Sequence, residues 1–540
     1  MPDRRLPAGL RAPRWWALLT LGLALGFAAV TVTPLPGAMM PPIVVAWLGL
    51  ALVLRWGAPR PAAPPVRVWP WSLLPLALWG VYVYLADSFG VVDLGAVFFH
   101  LQAGIEEHGG GGRLIAAGLY SLAMLPVLAA FTWLVRTDRR WRLVERVLAL
   151  ALLATNPLLF GLGQRGAALV TEDGAWLDRR YVPPAIRQAP AEPPNLLVLY
   201  LESLERTYAD RERFGDAYAP LAELGRRGVV VEGMRQLDNT GWTMAGMIAS
   251  QCGTPLMPAG LLHDSQFEPL ERVVPGVDCL GDLLAARGYR LSYLGGASTR
   301  FAGKGRFYAD HGFHRVRGRE TLAPRLDDPD YLNSWGLYDD SLYDFALGEI
   351  RALEARGDPW AVVTLSLGTH PPAGFPARTC RDRQGAFDGV DILYAVECAA
   401  RLARGLIERL AAEGLLEDTL VVLASDHLSM RVSAWEALTE GPRANTFMLL
   451  GNGLAPRRLE REASTLDVLP TVLEAMGFAI ERHRAGLGVS LLADEPTLVE
   501  RHGLEAINAR LREETALQRR LWEGLGHLPR PEPRALNPAP

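Results

Sequence analysis

Cysteine is scarce in this chain: four in 540 residues, at Cys252, Cys279, Cys380 and Cys398. None stands in a C-x-x-C or zinc-knuckle spacing, which excludes a zinc ribbon and a vicinal redox pair. Their density excludes a fold built on disulfides. One or two structural bridges, or four buried thiols, are both open. A basic excess is also missing. The formal net charge is -4, which gives no footing to a nucleic-acid partner, since that needs a basic face. Three common catalytic signatures are absent: G-x-x-x-x-G-K-[ST], G-x-S-x-G and H-E-x-x-H. Nucleotide hydrolysis, serine esterase chemistry and zincin proteolysis therefore lose their simplest support.

Apolar residues make up 49% of the chain, and they are unevenly spread. Five apolar stretches crowd the first part: Trp15 to Val30, Pro41 to Val53, Trp71 to Ala86, Leu114 to Val135 and Val147 to Leu162. A hydrocarbon core about 30 Å thick needs roughly 20 such residues in a helix. The fourth stretch reaches that length, and the first does when Thr31 to Leu35 are added. Trp stands at several ends, as interfacial anchors do. A lone signal peptide would explain the first stretch and leave four unexplained. The connections carry Arg asymmetrically. Arg4, Arg5, Arg11 and Arg14 precede stretch one, Arg55, Arg60 and Arg67 follow stretch two, and Arg136, Arg139, Arg140, Arg142 and Arg146 follow stretch four. The connection with Asp93, Glu106 and Glu107 is acidic. Positive-inside orientation then predicts a cytoplasmic N-terminus, five spans over residues 1–165, and everything later on the outer side. The loop with Asp93, Glu106, Glu107 and His108 reads as a solvated connection, with contact to substrate as the alternative.

After a Pro-rich linker (166–194) the pattern changes. Asn195 to Tyr200, Trp360 to Leu365 and Thr419 to Ala424 are short continuous apolar runs, each ending in polar residues. Such runs predict strands buried on both faces. Tyr289 to Leu294 is another. Helical periodicity lies between them, at Leu280 to Arg287, Ala395 to Ala412 and Leu466 to Met476, the last capped by Ser464 or Thr465. This alternation predicts an α/β domain over 195–495, with its polar strand ends gathered at the carboxyl edge of the sheet. A charged amphipathic helix is expected from Leu504 to Trp522, within a C-terminal segment 496–540 that ends in a disordered Pro-rich tail.

The chemistry is expected at those strand ends. Glu202 follows the first run, and Asp426 and His427 follow the third. Two carboxylates and an imidazole form a partial site for Mn²⁺ or Zn²⁺. Each alone is equally a turn or capping residue. Asn239 to Gly246 places hydroxyls and glycines before an apolar helical run. A Thr there is an N-cap or a nucleophile beside a helix N-terminus and a metal. The residues themselves leave Thr240 and Thr243 as alternatives.

Four segments carry a resemblance. NLLVLYLESLERTYAD at 195–210, TGWTMAGMIASQCGTPL at 240–256, WGLYDDSLYDFA at 335–346 and LASDHLSM at 423–430 resemble the phosphoglycerol transferase family of Gram-negative envelopes. That family is related to lipoteichoic acid synthases within the alkaline phosphatase/sulfatase superfamily. The Cys/Ser-x-Pro-x-Arg sequence of a typical sulfatase is absent around 240–256. The resemblance implies an alkaline-phosphatase/sulfatase-like α/β domain preceded by a multi-span helical membrane domain in the inner membrane, with the catalytic domain in the periplasm. It implies Thr243 as nucleophile and metal ligand, and Glu202, Asp426 and His427 as the remaining ligands of one divalent ion, Mn²⁺ ahead of Zn²⁺ or Mg²⁺. His370 would stand on the substrate side. Lys304, with Arg306 close by, would replace an Arg that holds phosphate in some relatives. The implied reaction moves glycerol phosphate from phosphatidylglycerol to a periplasmic glucan. Rival readings are a phosphoethanolamine transferase, a lipid-directed phosphodiesterase, or a non-catalytic glucan- or lipid-binding envelope protein.

Overall fold

The structure is a computed structural model. It describes residues 70–89, 118, 120, 121, 141–156, 158, 159, 174–257, 272–523, 526 and 528. The first two apolar stretches, the Asp93 to His108 loop and the Pro-rich tail after residue 528 lie outside the described residues. The chain divides into two compact units, with the second taking everything from Ala168 onward.

In the first unit the third apolar stretch is helical, α1 (Pro70–Phe89), and the fifth begins within α2 (Trp141–Ala154). The two pack together, and the Trp79 indole donates to the Leu152 carbonyl at 2.8 Å. Among the described residues no helix is long and apolar enough to cross a membrane.

The second unit is built on an eight-stranded sheet. Its strands are β1 (Asn195–Leu201), β2 (Val229–Arg235), β3 (Arg290–Gly295), β4 (Arg315–Arg317), β5 (Trp360–Leu365), β6 (Thr419–Ser425), β7 (Phe447–Gly451) and β8 (Arg457–Ser464). Their order is β4-β3-β5-β1-β6-β7-β2-β8. All neighbours pair in parallel except β7, which runs against both β6 and β2. The helices that matter for the site are α3 (Thr243–Cys252), α4 (Leu280–Ala285), α5 (Lys304–Asp310), α6 (Asp339–Glu354), α7 (Asp391–Ala412) and α8 (Val468–Ala475).

The two faces of β1 explain why the apolar run is unbroken. Leu196, Val198 and Tyr200 enter one core with α3, α4 and α8, while Leu197, Leu199 and Leu201 enter another with α6 and α7. Alternate side chains point to opposite faces, so a strand covered on both sides must be apolar at every position. The edge strand β8, RRLEREAS, is the opposite case: its first six residues are exposed or half-buried. Its charges suit an edge, where they discourage pairing with another sheet.

The C-terminal segment departs from the single helix expected. It forms α9 (Leu504–Glu513) and α10 (Ala516–Glu523). The break falls at Glu514, whose carboxylate accepts from the Leu177 N–H at 2.7 Å and the Leu517 N–H at 3.1 Å. A tertiary hydrogen bond to residue 177 thus competes with helix continuation.

All four cysteines are paired, Cys252 with Cys279 and Cys380 with Cys398. The first bridge joins the last residue of α3 to the residue before α4.

Candidate metal-and-threonine site

Strands β5, β1 and β6 are adjacent and in parallel register, with Tyr200 opposite both Leu365 and Ala424, and Leu201 opposite Ser425. The residues just past their carboxyl ends therefore meet. Those residues are Glu202, the turn Ser366 to His370, and Asp426-His427.

Glu202, Asp426 and His427 are fully buried, and one ligand atom from each lies within 4.8 Å of the others. Ser203 locks the pair of carboxylates. It sits at φ 54, a left-handed conformation that costs a non-glycine residue energy and persists only where surroundings impose it. There its N–H donates to Asp426 Oδ1 at 2.8 Å and its hydroxyl donates to Glu202 Oε1 at 3.0 Å. The His427 N–H also donates to Asp426 Oδ1, at 3.0 Å. Asp426 Oδ2 is left buried with no hydrogen-bond partner, and so is His427 Nε2. The His427 Nδ1–H donates to the Leu428 carbonyl at 2.7 Å, so the Nε2 lone pair of the neutral ring faces inward. His427 Nε2 stands 3.3 Å from Glu202 Oε1 and 3.5 Å from Asp426 Oδ2, near enough for charge attraction without an aligned hydrogen bond.

The electrostatics follow from this crowding. Burial pushes the Asp426 carboxyl up, and the like charge of Glu202 adds to it. Glu202 feels burial in the same direction, but His427, His370 and Lys304 outweigh it and hold its carboxyl below the usual range. Burial opposes charge on His427, yet Asp426 and Glu202 lift it to about 9. Buried unpaired lone pairs on an aspartate and a histidine, oriented by their other hydrogen bonds, are what a divalent ion requires of its ligands. The residues present fit a metal of the oxygen-and-nitrogen class.

Helix α3 approaches this cluster through Gly246. A Cβ there would lie 1.7 Å from the Asp426 carbonyl oxygen, so only glycine allows the contact. Thr243, the first residue of α3 and half-buried, is three positions earlier and shares that helix face. Thr240 is buried, and its hydroxyl is committed to the Leu237 carbonyl at 2.7 Å. It closes the turn before the helix.

The substrate-side residues are partly assembled. The Thr369 hydroxyl donates to the Glu202 carbonyl, and the Ser366 hydroxyl accepts the Glu202 N–H at 3.0 Å. This turn carries His370, which is half-buried, donates its Nδ1–H to the Pro371 carbonyl at 2.9 Å and lies 4.3 Å, centroid to centroid, from the Trp335 ring. Lys304, at the start of α5, is buried. Burial lowers its ammonium to about 8 against the pull of Glu202, Asp426 and Glu320. Arg306 lies about 200° round the same helix, and its charge is felt by Asp310 instead. The structure thus gathers Glu202, Asp426 and His427 at one centre, with His370 and Lys304 near enough to act on Glu202 as charges.

Sequence reading missed several supports. Asp339, buried at the start of α6, accepts the N–H groups of Leu367 and Gly368 and so holds the turn that carries His370. Burial pushes its carboxyl up to about 7, those N–H bonds opposing. Glu205 is fully buried against Arg443, whose guanidinium also reaches the Ser429 carbonyl at 2.6 Å. An acid inside an apolar-flanked motif was the only available signal for either residue. A second acid-histidine cluster, Cys279, Asp282 and His311, is not equivalent. The Cys279 sulfur is bonded to Cys252, and His311 is satisfied by Asp282 at 2.6 Å and the Val273 carbonyl at 3.0 Å.

A mixed sheet with helices on both faces and a buried carboxylate-imidazole cluster at its carboxyl edge defines an α/β protein with a candidate cation site at the strand ends. Residues 194–478, just over half of the chain, match the family model described as Sulfatase, and the chain belongs to that family. Among curated proteins it is similar to phosphoglycerol transferase I of Salmonella paratyphi B and of Salmonella typhimurium. Each is 31% identical over 452 residues, covering 80% of this chain and 58% of the relative. The chain thus spans well under two thirds of those proteins. Among solved structures it is similar to an alkaline phosphatase superfamily protein from Vibrio parahaemolyticus (19% identity, TM-score 0.48, 63% of this chain and 79% of that one). It is also similar to the lipoteichoic acid synthase LtaP from Listeria monocytogenes (16% identity, TM-score 0.43, 55% and 76%).

Proposed function

We propose that this chain is a membrane-anchored phosphoglycerol transferase. It moves glycerol phosphate from phosphatidylglycerol to a glucan outside the cytoplasm. One observation carries the reading: the bare lone pairs of Asp426 and His427 beside Glu202, at the place where Gly246 docks the Thr243 helix. The similarity to phosphoglycerol transferase I supports the choice of donor.

Glu202, Asp426, His427 and the Thr243 hydroxyl would hold one divalent ion, Mn²⁺ first among candidates. When bound, that ion supplies Lewis acidity, lowering the hydroxyl pKa and neutralising phosphoryl charge. Thr243 Oγ attacks the phosphorus of phosphatidylglycerol from the N-terminus of α3, where helix N–H groups favour an anion. The bond from phosphorus to the diacylglycerol oxygen breaks, and diacylglycerol leaves with a proton. Lys304 holds a phosphoryl oxygen through the transfer, and His370 steadies the leaving side. A sugar hydroxyl then attacks the glycerophosphoryl-threonine, and Thr243 is restored. Five spans in the first unit would keep the site at the bilayer surface where the donor lies, raising its effective concentration. Two disulfides suit an oxidising compartment and hence an outward-facing domain.

The test uses membranes given head-group-labelled phosphatidylglycerol and β-glucan, with wild type and Thr243→Ala. Label should reach glucan in wild type, require Mn²⁺, and fall at least a thousandfold in the variant, the order expected for loss of a nucleophile. Unchanged transfer in Thr243→Ala would remove the nucleophile assignment. Transfer of ethanolamine phosphate from a phosphatidylethanolamine donor in its place would favour the rival transferase.

A further inference from the structure

A row of four rings stands beside the metal cluster, and the chemistry above leaves most of it without a role. The Phe301 and Trp335 rings meet edge to face at 5.5 Å, Trp335 lies 4.3 Å from His370, and His370 lies 6.4 Å from Phe375. All four residues are half-buried. They come from three separate segments at the carboxyl edge of the sheet, so the fold and not local sequence lines them up.

Trp335 is presented rigidly. The Asn333 side chain accepts the N–H groups of Trp335 at 2.8 Å and Gly336 at 2.9 Å, and the Asn333 N–H donates to the Gly336 carbonyl. Gly336 in turn bridges to Ala297, just past β3, so closely that a Cβ would lie 2.0 Å from the Gly296 carbonyl. One end of the row is next to Lys304, whose ammonium sits 5.4 Å from the Phe301 ring. His370, one of its two inner members, is near enough to Glu202 to be felt there as charge.

We propose that this row, centred on Trp335, is the acceptor subsite and takes a neutral pyranose ring. The inference rests on the phosphoglycerol-transfer reading and names the side from which its second substrate arrives. An aromatic face carries negative charge density and an aromatic edge positive. A pyranose offers weakly positive C–H bonds on its faces and hydroxyls around its rim, so it matches a rigid aromatic wall with polar groups at its margins. An acyl chain would instead call for an aliphatic trough. From the wall a ring hydroxyl reaches the glycerophosphoryl-threonine. Its oxygen forms the new bond to phosphorus, the Thr243 Oγ–P bond breaks, and the hydroxyl proton ends on Thr243 Oγ.

Full-length protein in detergent with Mn²⁺, phosphatidylglycerol and a β-linked glucose tetrasaccharide tests this. Trp335→Leu should raise KM for the tetrasaccharide about tenfold and shift KM for phosphatidylglycerol less than about twofold by the same reasoning. Trp335→Phe should recover most of that loss, and Phe375→Leu, at the end of the row, should show a smaller rise. Saturation-transfer NMR on the metal-free protein should find the tetrasaccharide ring protons in contact with wild type and not with Trp335→Leu. An unchanged tetrasaccharide KM, a rise confined to phosphatidylglycerol, or undiminished saturation transfer would each overturn the assignment. A wild type that turns over no phosphatidylglycerol would remove the transfer reading, and the NMR contrast would then settle the subsite by itself.

Discussion

Lys304 is the only lysine in the sequence, and it is buried beside two carboxylates. Burial disfavours its ammonium and lowers it to about 8, so its charge is lost within a range where enzymes are assayed. On the proposed mechanism, the cationic form is the one that would hold phosphate. Donor kcat/KM should therefore be level below pH 8 and fall as pH rises through it, since that ratio reports the free enzyme. Lys304→Arg should abolish this limb, because guanidinium does not deprotonate in that range. A limb unmoved in the variant would assign it to another group.

At the scale of elements, the decisive contact is α3 against the end of β6. Gly246 permits it, and Gly246→Ala should force the helix away from Asp426. Overpacking of this kind costs about 1–3 kcal/mol, and a 1 Å displacement of a reacting group costs on the order of 100-fold in rate. The expected result is a modest fall in Tm, a large fall in transfer and weaker Mn²⁺ binding by calorimetry. Normal binding and rate would mean that the helix is not positioned by this contact. Strands β1, β5 and β6 were legible because both of their faces are covered, which makes them continuous apolar runs. Strands β2, β4, β7 and β8 were not anticipated. The last is charged because it is an edge, and β4 has three residues, too few for a period to register. The chain of α9 and α10 was legible as helical, but its break was not, since Glu514 answers to residue 177.

For the whole molecule, the disulfides tie the site to its surroundings. Cys252–Cys279 closes a 27-residue separation and holds the far end of the Thr243 helix to α4. Chain-entropy reasoning gives such a bridge about 3–4 kcal/mol. Cys252→Ser with Cys279→Ser should lower Tm by several degrees in chemical or thermal unfolding while leaving the ligand set intact. An unchanged Tm would show that packing alone fixes α3.

The sequence by itself determined that Glu202, Asp426 and His427 end apolar runs, and that a hydroxyl-bearing segment opens a helix. Those are local facts, written in spacing and side-chain type. It could not say what the Thr240 hydroxyl bonds to, enclose Lys304, pair the cysteines, or bring Phe301, Trp335 and His370 together. Tertiary structure decided these, because each depends on which distant backbone or side chain comes near. The Thr240 hydroxyl meets the Leu237 carbonyl, Lys304 is buried within the field of Glu202 and Asp426, and parallel register alone brings residues 202, 366–370 and 426 to one place.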